Sequence, residues 1–289
     1  MQELKIDNAR MGLPHWMKAT FPKGENYSRI KNVIDKNKLN TICSSGNCPN
    51  KGECWGAGTA TFMILGNKCT RACSFCNVDY LKPDPVDWDE PKRLAETIKL
   101  LKLKHAVITS VARDDLVDGG ARFWATTIHE IKKMNQEITM EVLIPDFNRN
   151  FNVYDLIINE KPEVISHNIE TVFRLTPSIR NMAHYHRSIK VLSYVASSGI
   201  TTKSGFMLGL GEQENEVLTT MDDLLNAGVK VLTIGQYLAP SQKHAGVLEY
   251  VKPEVFEKYR IAALEKGFKA VESSPLVRSS YRAERHAAI

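Results

Sequence analysis

Cysteine is absent from most of this 289-residue chain: none stands before position 43 and none after 76. Disulfides are the staples of small secreted domains, and a chain of this length buries a core without them. Apolar runs long enough to cross a bilayer are also missing. The opening stretch has no apolar segment of the kind a secretory signal carries, so a reducing, cytoplasmic compartment is expected. Neither sign of charge dominates. The 38 Lys+Arg and 33 Asp+Glu leave a formal +5, too weak and dispersed to argue for nucleic acid, though compatible with an acidic protein partner. No internal repeat, low-complexity tract or long linker divides the chain. Gly209-Leu210-Gly211-Glu212 lacks the third glycine of a dinucleotide fingerprint, and no Ser/His/Asp arrangement demands hydrolase chemistry.

What is present is concentrated. All six cysteines fall in two unlike triplets, Cys43-x4-Cys48-x5-Cys54 and Cys69-x3-Cys73-x2-Cys76. Zinc takes four ligands, often as paired Cys-x2-Cys knuckles, and only Cys73 and Cys76 form such a pair. Three thiolates at these spacings suit a [4Fe–4S] cubane, whose iron prefers soft sulfur ligands. Each triplet leaves one iron without a protein thiolate, and an iron with an open position is a place for chemistry.

From residue 59 onward strand and helix signals alternate, as in a parallel sheet with crossover helices. Apolar runs predict strands at Thr61–Leu65, His105–Thr109, Thr139–Ile144, Val164–Asn168, Thr202–Leu208 and Val231–Gln236. A seventh short strand is read at Phe268–Val271. Helices are expected near 90–103, with Asp89 as its N-cap, then near 121–134, 153–160, 187–198, 214–227 and from Pro253 to Gly267. Six such units are too few to close an eight-stranded barrel. The expected fold is therefore α/β, a partial (β/α)6 TIM-type barrel spanning 59–272. An extension over 1–58, with a helix near 27–38 and an apolar anchor at Pro14-x-Trp16-Met17-Lys18 ahead of it, carries the first triplet, and a C-terminal segment covers 273–289. Barrel enzymes work at the C-terminal ends of their strands. Polar residues gather there: Cys69–Cys76, Thr109-Ser110-x2-Arg113-Asp114-Asp115, Asp146, His167-Asn168-x-Glu170 and Gln236-Tyr237.

The second triplet, with the aromatic Phe75 before its last cysteine, resembles the signature of the radical S-adenosylmethionine (SAM) superfamily. The resemblance narrows to the lipoyl synthase family through Cys43-x4-Cys48-Pro49-Asn50-x3-Cys54, Gly58-Thr59-Ala60-Thr61 and Cys69-Thr70-Arg71-x-Cys73-x-Phe75-Cys76. Arg113-Asp114-Asp115-Leu116-x-Asp118-Gly119-Gly120, Thr202-Lys203-Ser204-Gly205, Gly235-Gln236-Tyr237-Leu238-x-Pro240-Ser241 and Arg278-Ser279-Ser280-Tyr281 extend it over nearly the whole chain.

The resemblance implies two [4Fe–4S] clusters. Cys69, Cys73 and Cys76 would hold the one whose open iron is chelated by the amino and carboxylate groups of SAM. Cys43, Cys48 and Cys54 would hold an auxiliary cluster, with Ser280 as fourth ligand and Ser279 as the alternative. The implied reaction inserts two sulfur atoms, at C6 and C8 of an octanoyl chain on a lysine of a lipoyl carrier domain. Each insertion consumes one SAM to methionine and 5′-deoxyadenosine. The auxiliary cluster would be dismantled as sulfur donor, so the chain by itself is expected to stop once that cluster is spent. Expected partners are the carrier domains of 2-oxoacid dehydrogenase complexes or the glycine cleavage H protein, an electron donor and an iron–sulfur carrier; no nucleic acid or membrane is expected. Asn168 and Glu170 could bond the SAM ribose or form a structural network at the rim. Arg278 could hold Ser280 or the substrate, or simply form an ion pair. His184 and His186 read as surface or core residues. Two other readings stay open on sequence alone: a different sulfur-inserting radical SAM enzyme, and a non-catalytic iron–sulfur scaffold.

Overall fold

Buried β-branched and aromatic runs set the frame, because a parallel strand covered on both faces stays apolar along its length. Seven strands stand side by side in chain order, all parallel: β1 Thr61–Ile64, β2 His105–Ser110, β3 Thr139–Leu143, β4 Val164–Ser166, β5 Thr201–Leu208, β6 Val231–Gln236 and β7 Ala270–Ser273. The computed structural model describes residues 12–17, 25–56, 59–147 and 151–289. Lys18 and Gly58, named in the sequence reading, lie outside the described residues. In the order of the sheet β1 and β7 are not neighbours, so the barrel is open.

Six crossover helices return the chain: α1 Glu90–Leu101, α2 Ala121–Met134, α3 Val153–Ile158, α4 Tyr185–Ser197, α5 Glu214–Asn226 and α6 Pro253–Lys266. Their apolar faces pack on the sheet in two buried clusters. One gathers β1 to β3 with α1 and α2 around Trp124, Phe62 and Phe123; the other gathers β5 and β6 with α5 and α6 around Met221 and Phe256.

The partial barrel with six full βα units is as expected, and several boundaries differ. The seventh strand lies two residues later than Phe268–Val271, because Gly267 ends α6 at φ +120° and Phe268 then drops into the core beside α5 and α6. Asp89 precedes α1 as its N-cap but makes no side-chain cap bond; its own N–H donates to the Asp87 carboxylate at 3.0 Å. The residues ahead of the barrel form a helix at Glu25–Lys36 and two short ones, Ile42–Ser45 and Lys51–Gly56. Between them Asn40–Thr41 pairs antiparallel with β1 on its outer edge.

After β7 the chain runs from the C-terminal rim to the opposite end. Near the rim the Gln236 N–H donates to Pro275 O at 3.2 Å. Gly235 is the residue that permits this approach, since a Cβ there would lie 2.2 Å from Val277 O. At the base the Thr201 hydroxyl donates to Ile289 O at 2.7 Å.

Glu90 links the start of α1 to the end of β1. Its carboxylate accepts from the Leu65 N–H at 2.9 Å, where the chain leaves β1 with Leu65 at φ +66°. Burial pushes this carboxyl up to about 7. A carboxyl raised in the folded state makes the native protein bind more protons between its unfolded pKa, about 4.3, and 7, so stability falls as pH rises through that window. Glu90→Gln keeps the acceptor and removes the charge. Its stability relative to wild type should therefore grow from pH 5 to pH 8, by roughly 2–3 kcal/mol; denaturant titrations at both pH values check this, and a flat difference refutes it.

Candidate active site

The second triplet occupies the loop between β1 and α1, tied down from three neighbouring strand ends. Beyond β2, the Ala112 N–H donates to Cys69 Sγ at 3.3 Å and the Arg71 N–H to the same sulfur at 3.4 Å. Two backbone donors on one sulfur fix where it sits. Beyond β4, Ile179 O accepts from the Ser74 N–H at 3.1 Å and Ser178 O from the Ser74 hydroxyl at 3.0 Å. Beyond β6, the Ala245 N–H donates to Ser74 O at 2.8 Å, and His244 Nε2 donates to Cys76 O at 3.1 Å.

Arg71 fastens the loop by charge. Its guanidinium grips Asp114 with two bonds of 2.7 Å and reaches Asp146 at 2.6 Å. Burial opposes its charge, yet the Asp114 hydrogen bond and the Asp146 carboxylate hold its pKa above the ordinary value. Asp146 sits beyond β3, so one side chain joins three strand ends.

The loop forms one wall of a cavity of ≈ 790 Å³ at the C-terminal rim. All three cysteines of the triplet line it, as do Asn168 and Glu170. Burial pushes the Cys73 thiol up to about 11, with Arg180 pulling the other way, and the Cys76 thiol up to about 12, helped by the nearness of Cys73 and Cys69. These groups resist ionisation alone and need an adjacent cation to become ligands. Asn168 hydrogen-bonds the Glu170 carboxylate, which burial raises above its ordinary value. Asn168 Oδ1 is buried without a partner among the described residues, an open acceptor on the cavity wall.

The first triplet lies beside this cavity. Ile42, Gly46, Asn47 and Pro49 reach the lining, and the Asn77 amide, one residue after Cys76, donates to Ser45 O at 2.7 Å. Cys43, Cys48 and Cys54 sit close enough that burial and mutual repulsion raise the Cys54 thiol to about 12. Burial and then Cys43 raise Cys48 as well, while Arg278 opposes them. The C-terminal segment crosses this group. The Asn50 amide donates to Leu276 O at 2.6 Å, the half-buried Arg278 faces Cys48, and the Tyr281 hydroxyl donates to Glu53, next to Cys54, at 3.2 Å. Ser280 is half-buried in the turn between Arg278 and Tyr281, and Ser279 lines the cavity.

The donor sets fit iron–sulfur clusters. All six cysteines are free soft donors in two groups of three, Cys43 buried and the other five half-buried. No group of three His, Cys, Asp or Glu among the described residues is arranged to hold a single metal ion. Cubane ligands have no need to converge, since each thiolate meets its own iron.

Other expectations resolve plainly. The Gly209–Glu212 turn is closed by its own glutamate, which accepts from the Leu210 N–H at 3.0 Å, and none of its residues lines the cavity. His184 and His186 are exposed. The sequence reading missed Arg180, His244 and Asn77. Each acts from a loop, where no periodic pattern marks it; Arg180 is buried, lines the cavity and donates to Ile169 O at 3.2 Å and to the Ser188 hydroxyl at 3.0 Å.

Comparison with known proteins agrees with this geometry. The Radical SAM superfamily model matches residues 63–224, and the model for the N-terminal domain of lipoyl synthase matches residues 2–48. A mitochondrial lipoyl synthase of Nematostella vectensis is 57% identical over 274 residues, 94% of each chain. A lipoyl synthase of Christiangramia forsetii is 55% identical over 284 residues, 98% of this chain and 97% of the relative. The chain belongs to the lipoyl synthase family. Membership makes it a radical SAM sulfurtransferase that uses [4Fe–4S] clusters and SAM. Among solved structures, Streptococcus suis SuiB bound to S-adenosylmethionine aligns with a TM-score of 0.59 at 10% identity over 86% of this chain, which spans 62% of SuiB. Methylornithine synthase (PylB) aligns at 0.57 and 10% identity, covering 89% and 83%. Both share the partial barrel fold with this lipoyl synthase family member.

Arg71→Met would leave Asp114 and the 1%-exposed Asp146 carboxylate without their main counter-charge. Removing one partner of a buried ion pair costs about 3–5 kcal/mol. Thermal unfolding of the apoprotein should show a loss of that order, and an unchanged transition would exclude Arg71 as the fastening of the loop.

Proposed function

We propose that Cys69, Cys73 and Cys76 hold the SAM-binding cluster on the cavity wall, and that Cys43, Cys48 and Cys54, with Ser280, hold the auxiliary cluster beside it. One observation carries this division: two separate groups of three free thiols, one lining the cavity and the other crossed by the Arg278–Tyr281 segment. When bound, the clusters and SAM supply a hydrogen-abstracting radical and the sulfur inserted at C6 and C8 of a carrier-bound octanoyl chain.

The chain's own residues bind, orient and shield. Asn168 Oδ1 offers an acceptor to a ribose hydroxyl of SAM, and Glu170, aligned by the Asn168 amide, offers a second. Met207, Val111, Ile144 and Leu143 give the cavity apolar walls that suit an aliphatic chain. Phe75 packs against Tyr237 and Val247 over the triplet loop and keeps water from it. Arg278, facing Cys48, offsets the negative charge of ionised thiols in the first triplet. A serine oxygen is a harder and poorer partner for iron than a thiolate, which suits a corner that must be given up. The carrier is an octanoylated domain of a 2-oxoacid dehydrogenase complex or a glycine cleavage H protein, with an electron donor and an iron–sulfur carrier as further partners. No helix among the described residues is long and apolar enough to cross a membrane; we place the enzyme in a reducing, cytoplasm-like compartment on its six free thiols.

The test is mass spectrometry of an octanoylated lipoyl domain incubated anaerobically with reconstituted protein, SAM and a strong reductant. The expected product carries two sulfurs in place of two hydrogens. Cys73→Ala should abolish reductive SAM cleavage. Cys48→Ala should keep 5′-deoxyadenosine formation and stop thiolation; thiolated product from that variant would overturn the division of roles.

A further inference from the structure

Inside the barrel, at the end away from the cavity, lies an ion pair that the reaction does not use. Lys203 on β5 donates to Glu141 on β3 at 2.8 Å, with side chains 1% and 0% exposed, and the Ser166 hydroxyl of β4 donates to the other Glu141 oxygen at 2.7 Å. Such a pair is a poor source of stability, because desolvating both charges cancels most of their attraction and an apolar pair of similar volume serves as well. Its distinguishing feature is a third contact. Lys203 Nζ donates to Nδ1 of His286 at 3.3 Å, and His286 is 1% exposed in the C-terminal segment. Burial, then the Lys203 charge, lowers the His286 pKa to about 3, so its imidazole is neutral and Nδ1 accepts. Three residues on, Ile289 O takes the Thr201 hydroxyl at the same end of the barrel.

The C-terminal segment is therefore bolted at two places. Its upper bolt is the Asn50–Leu276 bond with the close approach of Val277 to Gly235. Its lower bolt is Lys203–His286 with Thr201–Ile289. Between them lie Arg278, Ser279, Ser280 and Tyr281, which cross the first triplet. We infer that His286 is a positioning residue for the first-triplet site, holding the strap under fixed register from the base of the barrel through Lys203 and Glu141. This rests on the assignment of Ser280 to that site made above. His286 touches neither the cavity lining nor any cysteine in the structure, so it acts only through the strap.

Three variants separate the possibilities: His286→Ala removes the acceptor, His286→Asn places an amide oxygen near the Nδ1 position, and Ser280→Ala tests the underlying assignment. Two readouts are needed. Hydrogen exchange of residues 276–289 in the apoprotein reports the strap without any cluster. Parallel assays of 5′-deoxyadenosine and of thiolated carrier, with iron per chain, report the two sites after reconstitution. His286→Ala should raise exchange across 276–289 and lower thiolated product and first-triplet iron about 10–100-fold, the range for lost supporting contacts at a metal site. Formation of 5′-deoxyadenosine should stay within about twofold of wild type, which also shows that the barrel is folded. His286→Asn should recover most of both losses. Unchanged exchange in His286→Ala overturns the anchor, as does loosened exchange with full thiolation while Ser280→Ala is inactive. Full thiolation by Ser280→Ala instead overturns the earlier assignment, and the exchange data still decide whether His286 fastens the strap.

Discussion

Thiols crowded at one end of a barrel resist ionising without help, and much of the structure answers that electrostatic constraint. Burial and mutual repulsion raise Cys54 and Cys76 to about 12 and Cys73 to about 11. The cations beside them are already engaged: Arg71 is committed to Asp114 and Asp146, Arg180 serves Ile169 O and Ser188, and Arg278 faces Cys48. The protein thus supplies sulfur in rigid groups and leaves the balancing positive charge to what binds there. Metal loading and proton release are one event under these conditions.

Rigidity comes from spreading each fastening over several strand ends. Arg71 connects the loops after β1, β2 and β3; Ser74 connects those after β1, β4 and β6. No single loop determines where a cysteine points. The two triplets are also joined, through Asn77 and Ser45, so a displacement of one is felt by the other.

Much of this was legible beforehand. Apolar runs identified β1 to β6, because parallel strands buried on both faces leave a strong local signal, whereas the half-buried β7 was misplaced by two residues. The cysteine spacings separated two groups of thiols, and of the polar strand ends Asp146, His167, Asn168, Glu170, Gln236 and Tyr237 line the cavity. What escaped was either too short or too distant. Asn40–Thr41 and the helices at Ile42–Ser45 and Lys51–Gly56 have too few residues to show a period. Phe268 looked like the start of a strand, although its burial beside α5 and α6 serves the helix layer. Arg180 and His244 earn their positions by contacts with residues more than a hundred places away or by loop geometry, and no local pattern reports that. The Lys203–Glu141–His286 contact was equally invisible, since a lysine and a glutamate in strands read locally as solvent-facing residues.

The strap has a consequence for how the molecule comes together. The Asn50–Leu276 bond joins positions 226 residues apart, and Glu53–Tyr281 joins positions 228 apart. Contacts of such separation form after the local βα units, since closing a long loop is unfavourable until both of its ends have docking surfaces. The first triplet therefore passes through a stage in which its three cysteines are gathered while the strap is still undocked. During that interval the three thiols stand open on the side that the strap later crosses.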